Sequence, residues 1–283
     1  MREAYQSDLR HIVDDLLDMA EMVGTALESA TASLLEGDLA LAERVVTADP
    51  HLDARQVELD AKAVELLARQ SPVATDLRLL VATLRMSSSL ERMGDLAAHV
   101  ALIARRAHPE IAVPEQHRAQ IARMCELGLS ALQAASQVIE NRDLALAAQV
   151  EKQDEELDDL MLEISREISS SSEQSYTNAQ IIDLTLLIRF YERLGDHAVS
   201  LVRRVGFLVT GDSLDTLSEG VDVLDICASA PAHARGRPAD LRGALWHRWT
   251  GRFSRGWAGD GAWSGARSPS APRAWPRRAA PAG

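Results

Sequence analysis

Apolar residues recur at helical spacing through six long stretches of the chain, and nowhere do they alternate as a half-buried strand would. The first three stretches run roughly from Ser7 to Glu36, from Leu39 to Ala68 and from Val73 to Ala107. Gly37-Asp38, Gln70-Ser71-Pro72 and His108-Pro109 end them, because turn formers and proline cannot continue a helix. From about Pro114 the pattern starts again: Glu115 to Ile139, Leu144 to Ile168 and Asn178 to Val209. Here the separators are Asn141-Arg142-Asp143 and the serine-rich segment Ser169 to Ser175, which reads as a polar interhelical loop with Ser169 to Ser172 as possible phosphoacceptors. Short connections between long amphipathic helices make neighbours antiparallel. The pattern therefore predicts an all-α fold of two tandem antiparallel three-helix bundles.

The second set of helices is a copy of the first. Residues 38–53 read DLALAERVVTADPHLD and residues 143–158 read DLALAAQVEKQDEELD. At this offset of 105, Asp38/Asp143, Val45/Val150, Asp49/Asp154, Leu52/Leu157 and Asp53/Asp158 are identical. Further on, ERMGD (Glu91 to Asp95) returns as ERLGD (Glu192 to Asp196) at an offset of 101. Two matches in the same order make chance a poor explanation. The expected organisation is a first repeat over 1–110, a second over 111–217 and a tail over 218–283.

Composition supports a helical body and sets the tail apart. The 283 residues are 46% hydrophobic but only 4% aromatic, with Leu, Ala, Val and Ile dominant. From Ala228 onward come all five tryptophans, eight of the 16 glycines, six of the 10 prolines and ten arginines, with no Lys or Glu. That tail carries +8, which leaves −20 on the rest of a chain whose formal charge is −12. Three readings fit it: a disordered basic tail, a basic arm for a membrane surface or for the acidic body, and a shifted reading frame over GC-rich codons. The acidic body repels phosphate backbones and argues against nucleic acid as a partner. MREAYQSDLR contains no apolar signal segment, and no apolar run reaches 18 residues, so a cytoplasmic protein is expected. Cys125 and Cys227 form no metal-ligand or redox spacing, and Cys125 reads as an inert core thiol in a reducing compartment.

Candidate chemistry lies in the repeated acids. Asp49/Asp53, Glu91/Asp95, Asp154/Asp158 and Glu192/Asp196 each place carboxylates four residues apart, on one helix face. Such like-charged pairs destabilise a helix by roughly 0.2–0.5 kcal/mol each. Hairpin counting brings the pairs together. Asp49/Asp53 lies about 20 residues before the turn near Ser71, and Glu91/Asp95 lies about 22 after it. The second-half pairs lie about 18 before and about 20 after a turn near Gln174. Ile188, Glu192, Asp196 and Val199 share one arc of their helix, so these acids sit at the edge of an apolar seam. Four partly desolvated carboxylates need cations to stay ionised: Arg92 and Arg193, or a hard metal ion. Gly94 and Gly195 interrupt the third helix of each half at the same place, at a cost of about 1 kcal/mol relative to alanine. Close backbone approach or room for an ion would explain them.

At these residues the chain resembles the PhoU family, whose two three-helix repeats each carry an ERxGDHA-type signature in the third helix. Here the signatures read ERMGDLAAH and ERLGDHAVS, and SPVATDLRLL matches the family's run into the first. The resemblance covers about residues 1–215. It implies that Asp49, Asp53, Glu91 and Asp95 form one metal site and that Asp154, Asp158, Glu192 and Asp196 form the other, with iron, Mn or Mg as the ion. The family's usual His after GD is kept as His197 but replaced by Leu96, which would weaken the first site; His197 and His99 also read as ordinary helix-surface residues. The resemblance further implies a negative regulator of phosphate uptake and of the phosphate-starvation response. It would act as an adaptor between a phosphate ABC transporter, through its ATPase subunit, and a sensor histidine kinase. A homodimer is expected.

An enzyme is not. Di-iron carboxylate bundles use Glu-x-x-His ligands, and none of the eight histidines follows a Glu by three positions. No G-x-S-x-G, P-loop or Cys/His constellation occurs. The alternative to the metal-binding regulator is a metal-free helical scaffold or chaperone-like adaptor.

Overall fold

A computed structural model describes residues 2–141, 146–170 and 176–210. The tail, Cys227, the turn near Gln174 and residues Ser171 and Ser172 lie outside the described residues, while Ser169 and Ser170 close the fifth helix. Among the described residues six α-helices follow one another: α1 (Arg2–Glu36), α2 (Leu39–Gln70), α3 (Ala74–Ala107), α4 (Arg118–Asn141), α5 (Ala147–Ser170) and α6 (Asn178–Thr210), with a 3-10 turn at Glu115–His117 before α4. Strands are absent among the described residues.

The first hairpin turns in two residues. Gly37, at φ 73°, takes the left-handed conformation that ends α1, and the N–H groups of Gly37 and Asp38 both donate to the Ser33 carbonyl. Asp38 then caps α2, its Oδ1 accepting from Leu41 N–H at 2.9 Å. Ser71, also left-handed at φ 46°, closes α2 ahead of Pro72. α2 continues through Pro50. Proline has no N–H to offer the Val46 carbonyl, and an interior proline costs about 3 kcal/mol, so packing along α2 outweighs the local preference. The second repeat has Glu155 at the matching position.

Each repeat forms a bundle, α1–α2–α3 and α4–α5–α6. The two join through copies of the same element: α1 packs on α4, and α3 packs on α6, while α2 and α5 pack mainly within their own bundle. The core is consequently continuous across the repeats. Gly128 of α4 sits where Leu27 of α1 and Leu194 of α6 converge; a Cβ there would lie 3.5 and 3.0 Å from their methyl groups. Tyr191 of α6 is fully buried beside Cys125, and its hydroxyl meets Thr31 Oγ1 of α1 at 2.7 Å. Thr31 spends its own proton on the Leu27 carbonyl, so the phenol is the donor.

Contacts along α3 and α6 fix their register. Arg106 ion-pairs with Asp183, and His99 stacks on Phe190 with ring centroids 5.4 Å apart. These contacts are seven residues apart on both helices, so α3 and α6 run antiparallel with a two-turn repeat. The same step carried further brings Arg92 opposite His197 and Gly94 level with Gly195.

Candidate functional site: paired carboxylates beside the central seam

α2 and α3 are antiparallel neighbours, and Ser87 of α3 donates to Asp60 Oδ1 of α2 at 2.7 Å. Two turns nearer the middle of α2, Asp53 meets Glu91 and Asp95. One oxygen from each of these three carboxylates lies within 4.8 Å of the others. Asp49 joins from the preceding turn of α2 and feels the charges of Asp95 and Asp53. The four first-half residues singled out in the sequence therefore gather at one level.

Their electrostatics follow from that crowding. Burial pushes the Asp49 carboxyl above its usual range, Asp95 and Asp53 add to the shift, and His99 opposes it. Burial also raises Glu91, reinforced by Asp95, Asp53 and Asp49 and opposed by Arg92. Arg92 straddles the pair, donating to Asp95 at 3.0 Å and approaching Glu91 at 3.4 Å. Its side chain is 61% exposed, so solvent screens much of that attraction.

In the second half Asp154, Asp158 and Glu192 are more deeply set than their first-half counterparts, while Asp196 is exposed. Asp154 and Glu192 are 7% and 8% exposed. Glu192 is pushed up to about 7 by burial, with Asp196 and Asp158 contributing and Arg189 opposing. The cation paired with Glu192 is Arg189, three residues before it, and not the Arg193 singled out in the sequence. Arg193 instead raises the positive potential around His197. That half-buried imidazole is held below its usual pKa by desolvation, then by Arg193, Arg92 and Arg204. His197 thus belongs to the seam with α3. At the matching position in the first half, Leu96 is 8% exposed and part of the core.

The two glycines hold the same contact in both halves. A Cβ on Gly94 would collide with the Leu52 side chain and reach within 3.9 Å of Asp49 Oδ1. A Cβ on Gly195 would lie 2.7 Å from Asp154 Oδ1 and 2.9 Å from Leu157 Cδ1. Leu52/Leu157 and Asp49/Asp154 are equivalent positions of the duplication, so each glycine admits the same leucine and aspartate from the neighbouring helix. Close approach is therefore the reason for both glycines.

The first-half oxygens suit a hard cation. Oxygen ligands sit roughly 2.0–2.6 Å from Mg²⁺ or Ca²⁺, so two ligands of one ion stand at most about 5 Å apart. The spread of Asp53, Glu91 and Asp95 falls inside that limit. Among the described residues it is the one such group of three. The second quartet brings the same residue types to the same level across the seam.

Sequence reading missed two features around the site. One is the arginine row on α3, Arg85, Arg92 and Arg106, whose spacing in steps of seven is visible but whose meeting with Arg204 of α6 depends on which helices pair across the repeats. The other is the buried His117, bonded through Nδ1 to Gln120 Oε1 at 2.7 Å and through Nε2 to the Tyr176 hydroxyl at 2.8 Å. It ties the start of α4 to the start of α6.

Two copies of a three-helix unit, each bringing an acidic pair of its second helix against an acidic pair of its third, define a duplicated carboxylate-bearing helical bundle. The sequence model described as the PhoU domain matches residues 16–104 and 121–205, more than half of the chain. The chain belongs to the PhoU family. It is 39% identical over 211 residues to the phosphate-specific transport system accessory protein PhoU homolog 2 of Mycobacterium tuberculosis, covering 75% of this chain and 99% of that protein. To the PhoU homolog of Caulobacter vibrioides it is 32% identical over 227 residues, covering 78% and 96% of the two chains. The crystal structure of PhoU from Pseudomonas aeruginosa superposes with a TM-score of 0.69 at 26% identity, over 74% of this chain and 100% of that one. PhoU from Streptococcus pneumoniae, at 23% identity and a TM-score of 0.67, shares the fold. Among the described residues no helix is long and apolar enough to cross a membrane.

Proposed function

We propose that this chain is a non-enzymatic negative regulator of phosphate uptake and of the phosphate-starvation response. It works in the cytoplasm as an adaptor, docking its acidic helical surface on the ATPase subunit of a phosphate ABC transporter and on a sensor histidine kinase. Its repeats, 1–110 and 111–217, act together, and it functions as a homodimer. The relatives' description as accessory proteins of a phosphate-specific transport system supports the link to transport.

Asp49, Asp53, Glu91 and Asp95 hold one metal site in this reading, and Asp154, Asp158, Glu192 and Asp196 hold the other. Iron, Mn or Mg are the ions the oxygen donors favour. A bound cation neutralises the crowded carboxylates and locks α2 to α3 and α5 to α6, giving partners a rigid surface. The convergence of Asp53, Glu91 and Asp95 carries this reading.

A metal-free scaffold is the second reading, and the ion pairs of Arg92 with Glu91 and Asp95 and of Arg189 with Glu192 favour it. Capture of the transporter ATPase and of the sensor kinase by the purified protein, with and without metal, separates the two. The metal-loaded protein is expected to retain both partners and the chelated protein to lose them. Equal retention in both states supports the scaffold, and retention of neither partner in either state contradicts the adaptor.

A further inference from the structure

The charges left over by the acidic site lie along the seam between α3 and α6. Arg106 reaches Asp183 and His99 stacks on Phe190, and each further step of seven residues along α3 is met by seven back along α6. Arg92 comes opposite His197, and Arg85 comes opposite Arg204. Their mutual influence agrees with this placement. Arg92 acts on His197 across the seam, and Arg204, held below its usual pKa first by burial, is held down further by Arg85.

Like charges thus face each other at one end of the seam. Several basic side chains of this body have acidic partners: Arg55 and Lys62 bind Asp15 and Glu58, Arg69 binds Glu65, and Arg123 binds Glu126 and Glu156. Arg85, Arg193 and Arg204 form no ion pair among the described residues. The Arg204 Nε is buried and has no hydrogen-bond partner among them. A buried N–H without an acceptor costs about 1–3 kcal/mol. Two arginines facing each other across the seam, neither of them ion-paired among the described residues, are the arrangement an anion would relieve.

We propose that Arg85 and Arg204 form a binding site for a tetrahedral oxyanion, and that inorganic phosphate is its ligand. Guanidinium groups present paired N–H donors that match phosphate oxygens and remain charged at any physiological pH. The choice of phosphate among oxyanions rests on the regulatory reading above; the cationic site does not. The seam is also where the two repeats meet, so an anion bridging Arg85 of α3 and Arg204 of α6 would tie one repeat to the other.

The test is phosphate binding by the full-length protein, freed of metal with a chelator so that the carboxylate sites cannot recruit the anion. Calorimetric titration with inorganic phosphate is expected to give saturable binding to the native chain. The double variant Arg85→Gln, Arg204→Gln should bind at least about tenfold more weakly, while Arg69→Gln, whose side chain pairs with Glu65 on an exposed face, should bind as the native chain does. If the double variant is poorly folded, Arg85→Gln alone, at an exposed position, should still weaken binding and reduce the rise in melting temperature caused by phosphate. The Glu91→Ala, Asp95→Ala variant should keep phosphate binding, which separates this site from the metal sites. Absence of binding at millimolar phosphate, or unchanged affinity in the arginine variants, would overturn the proposal. Sulfate binding as tight as phosphate would overturn the assignment of phosphate.

Discussion

Asp154 Oδ1 lies 2.7 Å from the point where Gly195 would carry a Cβ, closer than real side chains pack. The absent side chain is what lets the acidic face of α5 lie against α6 at the level of Glu192 and Asp196. Gly94 plays the same part for Asp49 and Leu52.

Alanine at these glycines should therefore destabilise the fold although alanine is the better helix former. The gain in propensity is about 1 kcal/mol. Overpacking costs about 1–3 kcal/mol, and Leu52 and Leu157 are buried and have little room to yield. Urea denaturation of Gly94→Ala and Gly195→Ala should show a net loss of up to about 2 kcal/mol. Gly24→Ala provides the contrast, because its Cβ would meet Leu132 and Leu129 at an ordinary 3.8 and 3.9 Å. That variant should gain up to about 1 kcal/mol.

Much of this arrangement was legible in the sequence, for physical reasons. Helical rise is constant, so counting from the Ser71 turn suffices to bring Asp53 level with Glu91. The turn at Gly37-Asp38 is equally local, since a left-handed glycine and a capping aspartate need no distant partner. What sequence pattern could not supply was contact between repeats. Arg189 and Arg193 lie within a turn of Glu192, on either side of it, and only the packing of α6 decides which one reaches it. Nothing local tells that α3 lies against α6, so His197 read as a surface residue or metal support when its charged neighbours are the seam arginines. The passage of α2 through Pro50 is likewise decided by tertiary packing.

Glu192 makes stability depend on pH in the metal-free protein. Its folded pKa, about 7, lies above the ordinary glutamate range. Folding therefore favours the protonated form, and this contribution is fully present below the unfolded pKa. It is lost as pH rises through the folded value, because the unfolded chain then binds fewer protons. The melting temperature of chelated protein should fall between pH 5 and pH 8. Glu192→Gln should flatten that part of the profile, and an unchanged slope would remove Glu192 as its cause.

The Thr31–Tyr191 bridge between α1 and α6 should respond unequally to its two deletions. Tyr191→Phe leaves Thr31 donating to the Leu27 carbonyl and should cost about 1 kcal/mol. Thr31→Val strands the phenol donor in the core and should cost more, about 1–3 kcal/mol. Chemical denaturation of both variants measures the order, and a larger loss in Tyr191→Phe would reverse the donor assignment.

Metal content tests the convergence of the carboxylates most directly. The native chain and the variant Glu91→Ala, Asp95→Ala should be loaded with iron, manganese or magnesium in turn, dialysed and analysed for bound ions, with helicity followed by circular dichroism. The variant is expected to lose the ion of the first repeat, keep that of the second and retain its helical signal. A variant that stays helical and binds as much metal as the native chain would contradict a site built from Asp53, Glu91 and Asp95.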